Sequence, residues 1–338
     1  MLQFLCSQIG GAGIVKIAFV GAENDYTREL LDGLRSALPT NEFFHWPPTS
    51  PAPAEDLEVL ISIGSVTREQ MASQPKLGLV QTASDGYETV DMAAATELGV
   101  WVSYTPGKES GNADSVAEFA VMLLIAACRR LGAAREYVFD HSKPRPLLNG
   151  ALRGKTVCIV GYGSIGVRIA KRLRPFGVHL TAVNRTPGRV PAEIPTRPMS
   201  ELKQAFGEAD AAVLCVRADA GNRHLIDADV LAAAKPGLVL VNITRGSLID
   251  ESALLAALES GQIGAAGLDV TEREPVPLDN PLLKLPQVFI TPHVAGFTDL
   301  TLRGTMGYLV DSMNRYRRGE RLGSLLNEPS SPRRALHG

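Results

Sequence analysis

The sequence predicts an α/β protein made of two units, each a parallel sheet with helices on its faces. Three observations predict it. Short apolar, β-branched runs alternate with helical patterns through both halves of the chain. A glycine-rich turn joins one of these runs to a helix and then to another run. The 338 residues, 45% hydrophobic and 21% charged, suit two globular cores rather than one small one.

In the first half, Lys16 to Val20, Leu57 to Ile61, Leu77 to Gln81 and Val100 to Ser103 read as strands. Phe43 to Trp46 is a candidate for another, before the proline-rich stretch Pro47 to Pro53. Helical patterns lie near Tyr26 to Leu38, Thr67 to Ala72 and Val90 to Leu98. Tyr104 to Asn112, Y-T-P-G-K-E-S-G-N, is a turn-rich break that marks a hinge or domain boundary. A long helix is expected over Ala113 to Leu131, with Asn112 or Asp114 available as its N-cap and Val116, Phe119, Leu123 and Leu124 on an apolar face.

The second half repeats the alternation. Strands are expected at Ala211 to Val216, Leu238 to Ile243, Ala265 to Asp269 and Val288 to Thr291, and helices near Ser200 to Phe206, Asp227 to Ala234 and Asp250 to Glu259. A last helix over Asp299 to Arg318 leads into a Pro-, Ser- and Arg-containing tail from Asn327 that composition predicts to be mobile.

Between the halves stands T-V-C-I-V-G-Y-G-S-I-G, Thr156 to Gly166. Its apolar run is a buried strand, and Gly161, Gly163 and Gly166 fit G-x-G-x-x-G at the start of a helix reaching about Arg174. The first glycine serves the tight turn, the second the approach of backbone to a pyrophosphate, and the third close packing of helix on strand. Amides at the helix start, with the helix dipole behind them, favour an anion. Any α/β protein can hold a tight glycine turn, but here the strand Val178 to Val183 completes the unit and points to a dinucleotide site.

Composition excludes other classes. A net charge of −2 gives no general attraction to nucleic acid, and Arg315, Arg317, Arg318 and Arg321 read as a solvated helix end. Cys6, Cys128, Cys158 and Cys215 show no C-x-x-C spacing, so they read as small apolar residues of a cytoplasmic protein, with no metal site. Met1 to Val15 lacks a basic start and reads as a disordered or loosely docked extension, with a signal peptide as the alternative. No run of 18 apolar residues predicts a membrane span.

In open α/β folds ligands bind beyond the carboxyl ends of the strands. There the second half carries Arg245 in V-N-I-T-R-G, Glu274 in G-L-D-V-T-E-R-E-P and His293 in T-P-H-V-A-G. Singly, each has an ordinary reading: a loop-bracing arginine, a solvated glutamate, a structural histidine. Together, beyond a dinucleotide turn, they make an arginine, a carboxylate and an imidazole at one sheet edge.

With S-D-G-Y-E-T-V-D (Ser84 to Asp91) and N-A-D-S-V-A-E (Asn112 to Glu118), these ordered blocks make the chain resemble the D-isomer-specific 2-hydroxyacid dehydrogenase family from Lys16 to about Asn327. The resemblance implies two flavodoxin-like or Rossmann-like domains, the coenzyme domain (112–297) inserted into the substrate domain (1–111 and 298–338), and a homodimer formed through the coenzyme domains. It makes Arg245 the substrate clamp, His293 the acid/base and Glu274 its orienting partner, with Ser84, Asp85, Gly86, Arg245 and His293 around a small 2-oxo or 2-hydroxy acid. A planar guanidinium can fork onto a carboxylate and the adjacent carbonyl, which lysine cannot do. A carboxylate beside the imidazole favours its charged form. Asp269 resembles the family aspartate near the nicotinamide carboxamide, with capping or loop bracing as the alternative.

The coenzyme set implied in this way is Gly161, Gly163, Ser164, Ile165, Gly166, Asn184, Arg185, Thr186, Val216, Arg217, Ile243 and Asp269. Two departures from the family pattern stand out. NAD-preferring members have an acidic residue where this chain has Asn184, followed by Arg185 and Thr186. A loop that often reads leucine-proline-leucine-threonine is here Val216, Arg217, Ala218, Asp219, and Arg217 is either a second cation for a phosphate or a solvated residue. NADP(H) is therefore the expected coenzyme, with NAD(H) possible.

Formate dehydrogenases carry glutamine in place of Glu274 and phosphite dehydrogenases lysine in place of Asp85, so neither pattern fits. Phosphoglycerate dehydrogenases often add a C-terminal regulatory domain, for which the short stretch after the last helix is not expected to leave room. A glyoxylate- or hydroxypyruvate-type reductase, or one acting on a phenyl- or branched-chain analogue, is the expectation. The rival is a nucleotide-sensing protein of the same fold without turnover, like the related transcriptional corepressors.

Overall fold

The computed structural model describes residues 14–145, 148–219 and 221–337. It divides into two compact units, Met1–Asn112 with Phe297–Gly338, and Ala113–Gly296. Of the expected N-terminal extension, residues 1–13 lie outside the described residues, and Val15 is already buried.

The first unit runs β1 (Lys16–Val20), α1 (Asp25–Ala37), β2 (Glu42–Trp46), β3 (Val59–Ser62), α2 (Arg68–Ala72), β4 (Leu79–Thr82), α3 (Met92–Glu97), β5 (Trp101–Ser103) and α4 (Gly107–Ser110). All strands are parallel, in the order β2-β1-β3-β4-β5, the flavodoxin-like arrangement. The two-residue period of β1 sends Ile17 and Phe19 to one core and Ala18 and Val20 to the other, so both faces are covered. Asn24 and Thr67 start α1 and α2 as capping boxes with Thr27 and Gln70. The turn-rich segment Tyr104 to Asn112 contains one short helix, α4, which ends at Gly111 in the left-handed region, φ 76°.

The tail from Asn327, expected to be mobile, is instead docked on the first unit. Asn327 accepts the Val102 amide through Oδ1 at 2.8 Å and donates Nδ2 to the Val100 carbonyl at 2.9 Å. Trp101 Nε1 donates to the Arg334 carbonyl at 2.9 Å, and Arg333 Nη1 to the Gln74 carbonyl at 2.7 Å. The polar side chains that suggested disorder serve as partners for backbone groups of β5 and its surroundings.

The second unit follows with α5 (Asn112–Cys128), α6 (Leu131–Phe139), β6 (Thr156–Val160), α7 (Ser164–Leu173), β7 (His179–Val183), β8 (Thr196–Arg197), α8 (Leu202–Glu208), β9 (Ala211–Leu214), α9 (Ala228–Ala233), β10 (Leu238–Asn242), α10 (Glu251–Glu259), β11 (Ile263–Leu268) and β12 (Val288–Ile290). The seven strands are parallel in the order β12-β11-β10-β9-β6-β7-β8. This is the Rossmann order with one strand added, and its direction reverses between β6 and β9. The helix α11 (Asp299–Arg318), with Thr298 as N-cap, returns the chain to the first unit, where Leu309, Met313 and Tyr316 pack against Leu30, Leu34 and Val59.

One helix expected to continue to Leu131 stops at Cys128. The Cys128 carbonyl accepts the Gly150 amide at 2.9 Å, and Arg130 turns into the left-handed region, φ 48°, before α6 begins. Nor does Asp114 cap α5: it accepts Arg168 Nε at 2.6 Å and Arg172 Nη2 at 2.9 Å, tying α5 to α7. Among the described residues no helix is long and apolar enough to cross a membrane, and no group of three or more His, Cys, Asp or Glu could hold a metal ion.

Candidate active site

The glycine turn leaves β6 at the point where strand order reverses. Gly161 has φ 95°, and its amide donates to the Val183 carbonyl at 2.7 Å. A Cβ on Gly166 would come within 2.4 Å of the Gly161 carbonyl oxygen, which no rotamer relieves. A Cβ on Gly163 would meet nothing within 4 Å, so the turn is open on that side. No side chain caps the start of the ten-residue α7, leaving the amides behind Gly163, Ser164 and Ile165 to an outside acceptor. The open cradle and the uncapped helix start fit a pyrophosphate. Ile165 and Val216 are partly buried against the core and Ile243 is buried, so these expected coenzyme residues form apolar packing beside the turn.

After β7, Asn184 is a brace. Its Oδ1 accepts the Tyr162 amide at 3.3 Å and its Nδ2 donates to the Thr186 carbonyl at 2.9 Å, linking the glycine turn to the loop that follows. Arg185 is 82% exposed and lies 3.2 Å from the Asp219 carboxylate. That carboxylate is the partner the sequence reading missed. Its loop is tightened by Asn222, whose Oδ1 accepts the Asp219 amide at 2.8 Å and whose Nδ2 donates to the Arg217 carbonyl at 2.8 Å.

Arg245, Glu274 and His293 come together at the carboxyl edge of β10, β11 and β12. Asn242, fully buried at the end of β10, accepts from the Thr244 amide and hydroxyl at 3.1 and 2.9 Å and donates to the Arg245 carbonyl at 2.8 Å. An amide side chain closing an otherwise apolar strand was the sequence signal for this brace. A Cβ on Gly246 would stand 1.9 Å from the Thr271 carbonyl carbon, so the Arg245 segment lies directly against the loop that carries Glu274.

His293 Nδ1 donates to Glu274 Oε2 at 2.7 Å. Burial pushes the Glu274 carboxyl upward, but the hydrogen bond and charge of His293, the Thr271 amide and the Arg245 charge outweigh it, and the group sits below its ordinary value. Arg245 also donates Nη1 to the Thr244 carbonyl at 2.8 Å. Asp269 is 1% exposed. Its carboxylate accepts the Thr291 hydroxyl at 2.6 Å and the Val294 and Ala295 amides at 3.0 and 2.9 Å, the geometry of the loop-bracing alternative. Two residues before Glu274, Glu272 contacts His224 Nε2, a pairing that nothing in the sequence pattern announced.

Ser84, Asp85 and Gly86 lie in the first unit, beyond the carboxyl end of β4. Ser84 Oγ donates to the Gly86 carbonyl at 2.9 Å, and Asp85 Oδ1 accepts the Gly107 amide at 3.1 Å, so the loop is held by its own side chains.

Residues 121–295 match the family described as D-isomer specific 2-hydroxyacid dehydrogenase, NAD binding domain. A glyoxylate reductase of Korarchaeum cryptofilum is 32% identical over 284 residues, 81% of this chain and 84% of that protein. The chain belongs to the D-isomer-specific 2-hydroxyacid dehydrogenases. Like other members of that family, it is an NAD(P)-dependent oxidoreductase acting on the CH–OH group of 2-hydroxy acids. Among other dehydrogenases of the family, the D-3-phosphoglycerate dehydrogenase of Mycobacterium bovis is 38% identical over 249 residues, 73% of this chain but 46% of that protein. Among solved structures, an NADPH-dependent glyoxylate/hydroxypyruvate reductase from Sinorhizobium meliloti, in complex with NADP and malonate, superposes with a TM-score of 0.80 at 30% identity over 95% of this chain and 99% of that one.

Proposed function

We propose that the protein is a cytosolic, homodimeric reductase that converts a short 2-oxo acid such as glyoxylate or hydroxypyruvate to the D-2-hydroxy acid, with NADPH preferred over NADH. The observation that carries this reading is the 2.7 Å hydrogen bond from His293 Nδ1 to Glu274, beside Arg245 at one sheet edge. A reduced nicotinamide, when bound, would supply the hydride. Arg245 holds the substrate carboxylate and adjacent carbonyl in a forked grip. With Nδ1 committed to Glu274, His293 moves its proton from Nε2 to the carbonyl oxygen, and Glu274 keeps the ring oriented. In the oxidation direction the same nitrogen takes the proton back.

The coenzyme choice rests on Asn184, Arg185 and Thr186. No carboxylate follows β7 to accept the ribose hydroxyls, and Arg185 offers a guanidinium to a 2′-phosphate. The NADP complex of the Sinorhizobium meliloti relative supports the same choice. For the dimer, Val121, Met122 and Ile125 of α5 and Leu131 of α6 line an apolar groove, and Val138 and Phe139 at the end of α6 are exposed. A second copy is the occupant that the family resemblance implies.

The test is to incubate the purified protein with NADPH or NADH and a panel of 2-oxo acids and follow coenzyme oxidation. The reading expects turnover on a short 2-oxo acid with NADPH ahead by at least about tenfold in kcat/KM, the scale of one charge-assisted hydrogen bond. A preference for NADH would overturn the coenzyme assignment, and turnover confined to larger 2-oxo acids would overturn the substrate assignment.

A further inference from the structure

Arg185 stands 3.2 Å from the Asp219 carboxylate across 34 residues of sequence, with side chains 82% and 49% exposed. The two ends of the pair are held unequally. Asp219 Oδ1 accepts the Gly221 amide at 2.9 Å, and its own amide donates to Asn222 Oδ1 at 2.8 Å, so the carboxylate is fixed within its loop. Arg185 reaches that carboxylate on a long, exposed side chain, extending from a turn that Asn184 fastens to Tyr162 and Thr186.

We propose that Asp219 is a specificity-determining residue that restrains NADPH binding by occupying Arg185, so that the chain discriminates between the two coenzymes less than its Asn-Arg-Thr turn alone would. This rests on the reading above that Arg185 faces the coenzyme 2′-phosphate. A dianionic phosphate arriving at Arg185 must either displace the Asp219 oxygen or share the guanidinium with it, and in both cases its gain is offset by the loss or weakening of an existing ion pair. NADH carries a hydroxyl at the same position and leaves that pair intact. The carboxylate therefore lowers the NADPH-to-NADH affinity ratio, and it acts through Arg185.

The experiment measures dissociation constants of NADPH and NADH, by titrating coenzyme fluorescence, for the unmodified protein, Asp219→Asn, Arg185→Ala and the double variant. Asparagine keeps an oxygen for the Gly221 amide, so the loop geometry is retained while the charge goes. The Asp219→Asn ratio is expected to rise about twofold to fivefold, the scale of an exposed charge interaction. In the Arg185→Ala background the same change is expected to raise the ratio by less than about twofold, because the cation it occupied is gone. An unchanged or lower ratio in Asp219→Asn overturns the proposal, and so does an equal rise in both backgrounds. The unmodified protein reports separately on the underlying reading. If it binds NADH more tightly and Arg185→Ala leaves NADPH binding intact, the assignment of Arg185 to the phosphate fails, whatever Asp219 does.

Discussion

Asp269 fixes the backbone of His293. Its carbonyl accepts the His293 amide at 2.8 Å while its buried carboxylate takes the next two amides, and His293 is held at φ 54°, a conformation uncommon for a residue with a side chain. The imidazole is thus aimed by a neighbouring strand end, and Glu274 then sets its ring.

Asp269→Asn should therefore harm the site without touching the proposed proton donor. An asparagine amide group would face donors that now meet a carboxylate, at a cost of about 1 to 3 kcal/mol. Turnover should fall by up to about 10²-fold as His293 drifts from its position. Urea denaturation and kinetics on one preparation check both. Full activity with full stability would show that the loop does not depend on this carboxylate.

Glu274→Gln should change how stability depends on pH. The carboxyl lies below its ordinary value of 4.5 in the folded chain, so its ionised form stabilises the fold above that pH, and the contribution is lost as pH falls through the folded value. The stability gap between the unmodified protein and Glu274→Gln is expected to be widest near neutrality and to close in acid below 4.5. A gap that widened on acidification would contradict the ion pairing.

What made the site readable was the joint placement of Arg245, Glu274 and His293 beyond the ends of parallel strands of one sheet, since singly each had an ordinary structural reading. The last helix was also readable to its ends, since Thr298 caps it and Gly319 stops it at φ 70°. What stayed hidden depended on partners distant in sequence. Nothing near Cys128 announces that Gly150 will take its carbonyl, and nothing in the polar tail announces that Asn327 will pair with β5. The Arg185–Asp219 pair was hidden in the same way, because the carboxylate lies in another loop, 34 residues on. The three donors to the Asp269 carboxylate, Thr291, Val294 and Ala295, likewise come from more than twenty residues away.

Gly246→Ala tests the packing of the Arg245 segment on the Glu274 loop. A methyl group cannot stand 1.9 Å from the Thr271 carbonyl carbon, so the two backbones must part. Overpacking of this kind costs roughly 1 to 3 kcal/mol, and the separation should reduce kcat/KM for the 2-oxo acid more than affinity for the coenzyme. An alanine variant with unchanged melting temperature and kinetics would rule out the close approach.

Arg245→Lys should not behave as a conservative change. A point charge cannot form the paired bonds to a carboxylate and carbonyl, so both KM and kcat for the 2-oxo acid should worsen. Steady-state kinetics that matched the unmodified protein would move the carboxylate grip elsewhere, and the loop Ser84 to Gly86 would be the next place to look.

The claim on which the rest depends is that His293 delivers the proton, and His293→Ala tests it most directly. Kinetics on the best 2-oxo acid, paired with coenzyme titration of the same variant, should show kcat lowered by roughly 10²-fold or more, the usual scale for losing a general acid, with coenzyme affinity within about twofold of the unmodified protein. A variant that kept near-normal kcat would contradict the account.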